Sequence, residues 1–194
     1  VLGIAEQLFR QSGVQAVSVD AIAQAAGIKK MTLYRCFPCK EELVMACMDL
    51  WERIPRRLWE RAREEFPDEP GRQLLAFSRL VCDIVSQPDY TGNICIHLMT
   101  DYTAPDHPIC VRVRELRAEM RAHVRTLAQQ AEASDPDQLA DAYCLMLEGM
   151  LIACRTYGCD SGPVRNATAV VEKFLRQNCG PRAFPPEPRR FRRW

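Results

Sequence analysis

The chain has 194 residues, 47% of them apolar and 26% charged, with 26 Lys and Arg against 25 Asp and Glu. This is the balance of an ordinary globular chain, and it excludes a disordered one, which pairs low hydrophobicity with high net charge. The longest stretch without a charge runs only from residue 90 to residue 100, and a membrane span needs about 20 apolar residues.

The first residues follow an amphipathic pattern rather than the apolar core of a signal peptide, so a cytoplasmic location is expected. The ten cysteines fall mostly inside apolar runs at helical spacing. They are expected to be mostly buried, reduced thiols, since a disulfide framework belongs to short, loop-rich secreted chains.

The near-neutral total hides an uneven distribution. Residues 27–40 hold Lys29, Lys30, Arg35 and Lys40 and no acid. Residues 181–194 hold five Arg and one Glu, while residues 48–180 hold 16 basic and 20 acidic residues. A basic patch near the N-terminus suits a polyanion and an acidic body does not.

Helical periodicity is nearly continuous and sustained alternation is missing, so the expected fold class is all-α. A first helix carries Val1, Ala5, Leu8 and Phe9 on one face and ends near Gly13. Ser18 is placed to cap a short helix over 19–26, and Gly27 supplies a turn. A second short helix covers about 30–37 and stops at Pro38. A longer one starts near Lys40, with Leu43, Cys47, Leu50, Ile54 and Leu58 in register, and Pro55 should kink or break it.

A loop is expected at 67–71, a helix at 73–85, a loop at 87–93 and a short helix at 94–102. A further break spans 104–108. Ile109, Val113, Leu116, Met120, Val124, Leu127 and Ala131 then form the clearest stripe in the chain. Asp135 caps the next helix, with Pro136 in its first turn. That helix is apolar on several faces (Tyr143, Leu145, Leu147, Met150, Ile152, Tyr157), which predicts burial on most sides. A last helix covers about 164–177. From 181 the chain is Pro- and Arg-rich without periodicity and reads as a flexible basic tail.

Two short helices joined by a tight turn at Gly27 are the pattern of a helix-turn-helix. Ile22 and Ala23 on the first can pack against Leu33 and Phe37 on the second. Lys29, Lys30, Met31, Thr32, Tyr34 and Arg35 are then left facing outward on the half that enters a major groove. Lys and Arg reach phosphates or guanine edges, Thr and Met side chains touch a thymine methyl, and Tyr34 bonds a phosphate. Ser18, at a helix N-terminus, and Lys40 complete the expected DNA-binding set.

The segment resembles the DNA-binding domain of the TetR family of transcriptional regulators. The resemblance rests on Ala5, Leu8, Phe9 and Gly13, Ser18-Val19-Asp20, Ile22-Ala23, Ala26-Gly27-Ile28, Thr32-Leu33-Tyr34, and Phe37-Pro38 with Lys40-Glu41-Glu42-Leu43. It covers about residues 1–47, and the remainder is more weakly similar. Three positions depart from the family pattern. Met31 stands where a small residue is usual, Cys36 where a His commonly meets phosphate, and Cys39 where a Ser commonly caps the next helix.

The resemblance implies an N-terminal helix-turn-helix DNA-binding domain (1–47) and a helical effector-binding and dimerisation domain (48–180), followed by the tail (181–194). It implies a homodimer paired through the last two long helices, about 136–158 and 163–178, on a near-palindromic double-stranded DNA operator. It also implies a regulator, repressor more than activator, released by a small-molecule effector. Phe77, Met99, Tyr102, Met120, His123, Tyr143, Met146 and Met150 are candidates to line an apolar effector pocket, although the same residues also suit a plain core.

No enzyme activity, cofactor or metal is expected. His97, His107 and His123 are not brought together by the pattern, and a structural hydrogen bond is the expected role of His107. Cys36-Phe37-Pro38-Cys39 leaves an alternative open, a redox-sensing regulator or a thiol oxidoreductase using Cys36 and Cys39. Its competitor is two unrelated replacements of His and Ser.

Overall fold

Capping residues and prolines set where the helices of this chain begin. In the computed structural model, which describes residues 1–184, ten helices follow one another and no strand is present among the described residues. They are α1 (Leu2–Ser12), α2 (Val19–Ala25), α3 (Lys30–Cys36), α4 (Lys40–Trp51), α5 (Arg53–Glu65), α6 (Pro70–Val85), α7 (Ile94–Asp101), α8 (Pro108–Gln130), α9 (Pro136–Tyr157) and α10 (Gly162–Asn178).

Ser18 caps α2 by accepting the Ala21 N–H at 3.1 Å, and Asp135 caps α9 by accepting from Gln138 at 2.9 Å. His107 caps α8, with its Nδ1 accepting from Ile109 at 3.3 Å. Each satisfies a backbone donor that has no partner inside the helix. Gly27 sits at φ 65 between α2 and α3, in the left-handed region that a side chain disfavours. Cys39 begins α4 without a side-chain cap.

Several boundaries differ from the sequence reading, and proline explains them. The expected long helix from Lys40 is two helices that part at Glu52. Pro55 has no N–H to give to the carbonyl four residues back, so the ladder is interrupted at Trp51 and resumes in α5. Pro70 and Pro108 open α6 and α8 instead of closing the preceding loops, because a first-turn proline loses no hydrogen bond.

Two buried clusters organise the molecule. The first joins α1–α4 through Ala5, Phe9, Ile22, Leu33 and Leu43, and continues through Trp51 into α7 and the start of α8 at Leu98, Tyr102 and Ile109. The second joins α6, α9, α10 and the end of α8 through Leu74, Phe77, Val124, Leu139, Tyr143 and Leu175. Inside it the Tyr143 hydroxyl donates to Leu74 O at 2.7 Å and accepts from Ser78 Oγ at 2.8 Å. Tyr143 is wholly buried, and burial pushes its phenol far above the ordinary tyrosine range.

The expectation that α9 is buried on most sides is not met in the single chain. Leu145, Ile152 and Tyr157 are 73%, 46% and 63% exposed. Leu145, Gly149 and Ile152 share one face with open space around Gly149, and Val170 of α10 is also exposed.

The cysteines also differ in part. Cys47 and Cys110 are free and buried, Cys82, Cys95, Cys144 and Cys179 are free and half-buried, and Cys36 and Cys39 are free and exposed. Cys154 and Cys159 form a disulfide across the turn at Gly158. Within the expected tail Pro181 and Arg182 are exposed, whereas Ala183 and Phe184 pack on the body. Ala183 is buried against Gly71, and the Phe184 ring receives the Arg176 guanidinium at 4.7 Å. The rest of the expected tail, 185–194, lies outside the described residues.

Candidate nucleic-acid interface and internal cavity

The helix-turn-helix is built from its buried side outward. Ile22, Ala23 and Leu33 are buried where α2 meets α3, with Phe37 partly buried beside them. A seven-residue helix that buries Leu33 alone turns the rest of its side chains to solvent. Lys29, Lys30, Met31, Thr32, Tyr34 and Arg35 are all exposed, Met31 most of all at 73%. An exposed methionine on so short a helix serves no core and is available to an apolar partner atom.

Two of the expected cations are engaged. Lys30 donates to Asp20 at 2.8 Å and lies 5.9 Å from the Tyr34 ring centre. The Asp20 hydrogen bond raises its pKa. Lys40 opens α4 half-buried, its pKa lowered by burial, with the charges of Glu41 and Asp101 acting against that. Ser18 spends its oxygen on the α2 cap and keeps its O–H as a donor. Cys36 ends α3, Cys39 precedes α4, and they are not bonded to each other.

The second feature is a cavity of about 1050 Å³ bounded by α4–α6, α8 and α9, with Arg10 of α1 and the start of α7 at its edge. Its walls are mainly apolar and aromatic. Trp59 stacks on Phe77 with ring centres 3.8 Å apart and planes 12° apart, and meets His123 edge-on at 4.6 Å. Leu116 and Met120 also line it. They lie mid-stripe on α8 and are only half-buried, whereas Val113 and Val124 on either side are in core. The uninterrupted stripe therefore serves core at its ends and cavity in its middle.

Polar groups in the wall are mostly satisfied. Arg117 pairs with Glu148 at 2.9 Å and reaches Asn93 at 3.4 Å. Tyr90 donates to Leu151 O at 2.9 Å, and burial pushes its phenol up to about 12. Burial raises the Cys95 and Cys144 thiols as well, keeping them neutral. It also lowers the His123 pKa, with Arg63 acting in the same direction.

Of the eight residues expected at a pocket, Phe77, Met120 and His123 line this cavity. Met99, Tyr102, Tyr143, Met146 and Met150 are not among its lining residues. Tyr102 packs on His107 in the first cluster at a ring distance of 4.5 Å. Tyr143 and Met150 are buried in the second cluster, Met146 packs on it, and Met99 is 40% exposed on α7. Sequence reasoning missed Trp51, Trp59, Tyr90 and Arg117. Two tryptophans eight residues apart, about two helical turns, on either side of a proline were the available signal.

Among the described residues no cluster of His, Cys, Asp or Glu is arranged to hold a metal, and no helix is long and apolar enough to cross a membrane. A helix-turn-helix whose second helix is exposed and cation-bearing, beside a cavity-bearing helical body, is the arrangement of a DNA-binding class of protein.

The comparisons place it more narrowly. Residues 1–47 match the family model described as bacterial regulatory proteins, tetR family. The HTH-type transcriptional regulator EthR of Mycolicibacterium smegmatis is 30% identical over 74 residues, 38% of this chain and 34% of that protein. The matched segment thus spans about a third of that relative's length. A crystal structure of a TetR-family transcriptional regulator from Streptomyces coelicolor superposes with a TM-score of 0.82 at 27% identity, covering 91% of this chain and 93% of that one. A TetR-type regulator from Streptomyces avermitilis shares the fold at 23% identity and a TM-score of 0.77, covering 91% and 94%. Residues 1–47 thus match the N-terminal domain of the tetR family, and over most of its length the chain shares the fold of TetR-family transcriptional regulators.

Proposed function

We propose that the protein is a homodimeric, cytoplasmic repressor that leaves a near-palindromic operator when a small molecule fills the cavity. Residues 1–47 read the DNA, and residues 48–180 bind the effector and dimerise. The observation that carries this reading is the shared wall. Trp51 ends α4, lines the cavity, and donates its indole N–H to Glu6 of α1 at 3.0 Å. An occupant that moves Trp51 therefore acts on the helix that supports α2 and α3. Its effect on DNA binding is bounded by its differential affinity for the two arrangements.

Met31, Thr32 and Tyr34 are the proposed groove contacts, with Ser18, Lys29, Lys30, Arg35 and Lys40 on phosphate. The exposed apolar face of α9, with Leu145 and Ile152, and Val170 of α10 support pairing with a second copy. A two-fold dimer presents its recognition helices about 34–36 Å apart, hence the symmetric operator.

Selection of bound sequences from a random DNA pool by the reduced protein tests the reading. Enrichment of an inverted repeat is expected. A folded dimer that enriches nothing would overturn it.

A further inference from the structure

The cavity has a charge pattern that specifies its occupant, given the effector reading above. Most of the charged side chains on its wall are paired within the protein. Arg117 meets Glu148, Arg121 meets Asp137 and Asp141, Arg10 meets Glu6, and Glu52 and Glu119 both meet Arg112. The exceptions lie on α5. Arg56, Glu60 and Arg63 line the cavity, are exposed, and form no ion pair among the described residues.

Arg56, Trp59 and Arg63 are spaced by three and four residues, which places them on one side of α5. That side carries two cations against one acid. Trp59 adds a buried indole N–H with no acceptor among the described residues. An unsatisfied buried donor is costly, and an incoming acceptor relieves that cost.

The volume of about 1050 Å³ is just above the roughly 300–1,000 Å³ usual for small-molecule sites. The paired interior offers no free charge to a second ionic group, so the body of the occupant must be apolar.

We infer that the cavity binds an amphipathic carboxylate. Its apolar body lies against Phe77, Leu116 and Met120, and its carboxylate is held at the α5 edge by Arg63 and Arg56, with the Trp59 N–H turned to it as a further donor. A guanidinium suits this task because its N–H groups match a carboxylate two at a time. A cationic amphiphile of the same length meets a net positive edge, two arginines against the single Glu60.

Binding of dodecanoate, its methyl ester and dodecylamine to the full chain tests the inference. All are kept below micellar concentrations and followed by tryptophan fluorescence, since Trp51 and Trp59 line the site. Dodecanoate is expected to bind at least ~10-fold more tightly than the amine, about 1.4 kcal/mol. Arg63→Ala should weaken dodecanoate by about 5- to 20-fold and leave the ester within about twofold, as expected for a lost charge-assisted hydrogen bond. Leu116→Trp, which fills the cavity, should weaken both.

Equal binding of amine and acid would overturn the inference. So would an Arg63→Ala variant that loses acid and ester alike, or a Leu116→Trp variant that loses neither. If none of the three probes binds while the protein still selects an operator, the carboxylate inference falls and the regulator reading stands. If no DNA is selected, the regulator reading falls whatever the probes do.

Discussion

Trp51 and Glu6 are 45 residues apart in the chain and joined by a 3.0 Å hydrogen bond from indole N–H to carboxylate. Trp51 is only 7% exposed and its ring is also cavity wall. One side chain thus touches both the cavity and the first helix of the N-terminal helix-turn-helix region.

Trp51→Phe keeps an aromatic wall and removes the bond. It should cost about 1–3 kcal/mol of stability, the range for a partly buried hydrogen bond to a charged group together with a smaller ring. Urea denaturation measures this. The same variant should still take up a cavity probe while responding to it less in DNA binding. An unchanged response would place the coupling elsewhere, with the Glu52–Arg112 pair between the α4–α5 junction and α8 as the next place to test.

Tyr34→Ala addresses the groove face. Tyr34 is 38% exposed on α3, with Lys30 5.9 Å from its ring centre, so the substitution leaves the core intact. Operator affinity should fall by about 5- to 30-fold, the worth of about 1–2 kcal/mol of lost DNA contact. Thermal unfolding should be unaltered. Unchanged affinity would mean that α3 meets DNA by another face.

Asp20→Asn should act in the opposite direction. Asp20 holds Lys30 at 2.8 Å and raises its pKa. An acid within reach of the phosphate-facing surface also opposes DNA. Its removal should tighten operator binding several-fold and steepen the salt dependence, because Lys30 is released to displace a counterion. Anisotropy titrations at several salt concentrations read both effects. Weaker binding would show that Asp20 positions Lys30 for DNA rather than restraining it.

The helix-turn-helix was legible because its signals are local. Ser18, Gly27, Leu33 and Pro38 each specify one boundary or one buried face without reference to distant residues. The cavity was less legible because periodicity marks which residues leave water, not whether another side chain or a void meets them. Met120 and Tyr143 follow the same helical pattern, yet one lines space and the other is bonded to Ser78 and Leu74 O. The exposed face of α9 was misjudged for a related reason. An apolar helix reads as buried whether its partner is in the same chain or in another.

The buried Tyr143 network should prove structural. Tyr143→Phe removes the shorter donor to Leu74 O and leaves Ser78 only the longer bond to that same carbonyl, at 3.1 Å. A loss of about 1–3 kcal/mol is expected, read from urea midpoints at unchanged slope. Operator affinity of the folded fraction should not move, since Tyr143 lines neither the cavity nor the α3 surface.

His123 gives the protein a pH dependence of definite sign. The ring is exposed on one side, but its partial desolvation, with Trp59 packed edge-on beside it, and then the charge of Arg63 hold its folded pKa below the ordinary value of 6.5. The folded state therefore binds this proton less readily than the unfolded state does. Above the unfolded pKa the ring is neutral in both states and contributes no pH dependence. As the pH falls through about 6.5, the unfolded state takes up the proton first, so stability declines until the folded pKa is reached. His123→Gln, which cannot charge, should flatten that decline between about pH 6.5 and the lowered folded value while changing little at pH 8. Denaturation midpoints measured for both proteins across pH 5–8 decide it. Parallel curves would mean that another group titrates there, and that the His123 ring is as free to take a proton in the folded protein as in the unfolded chain.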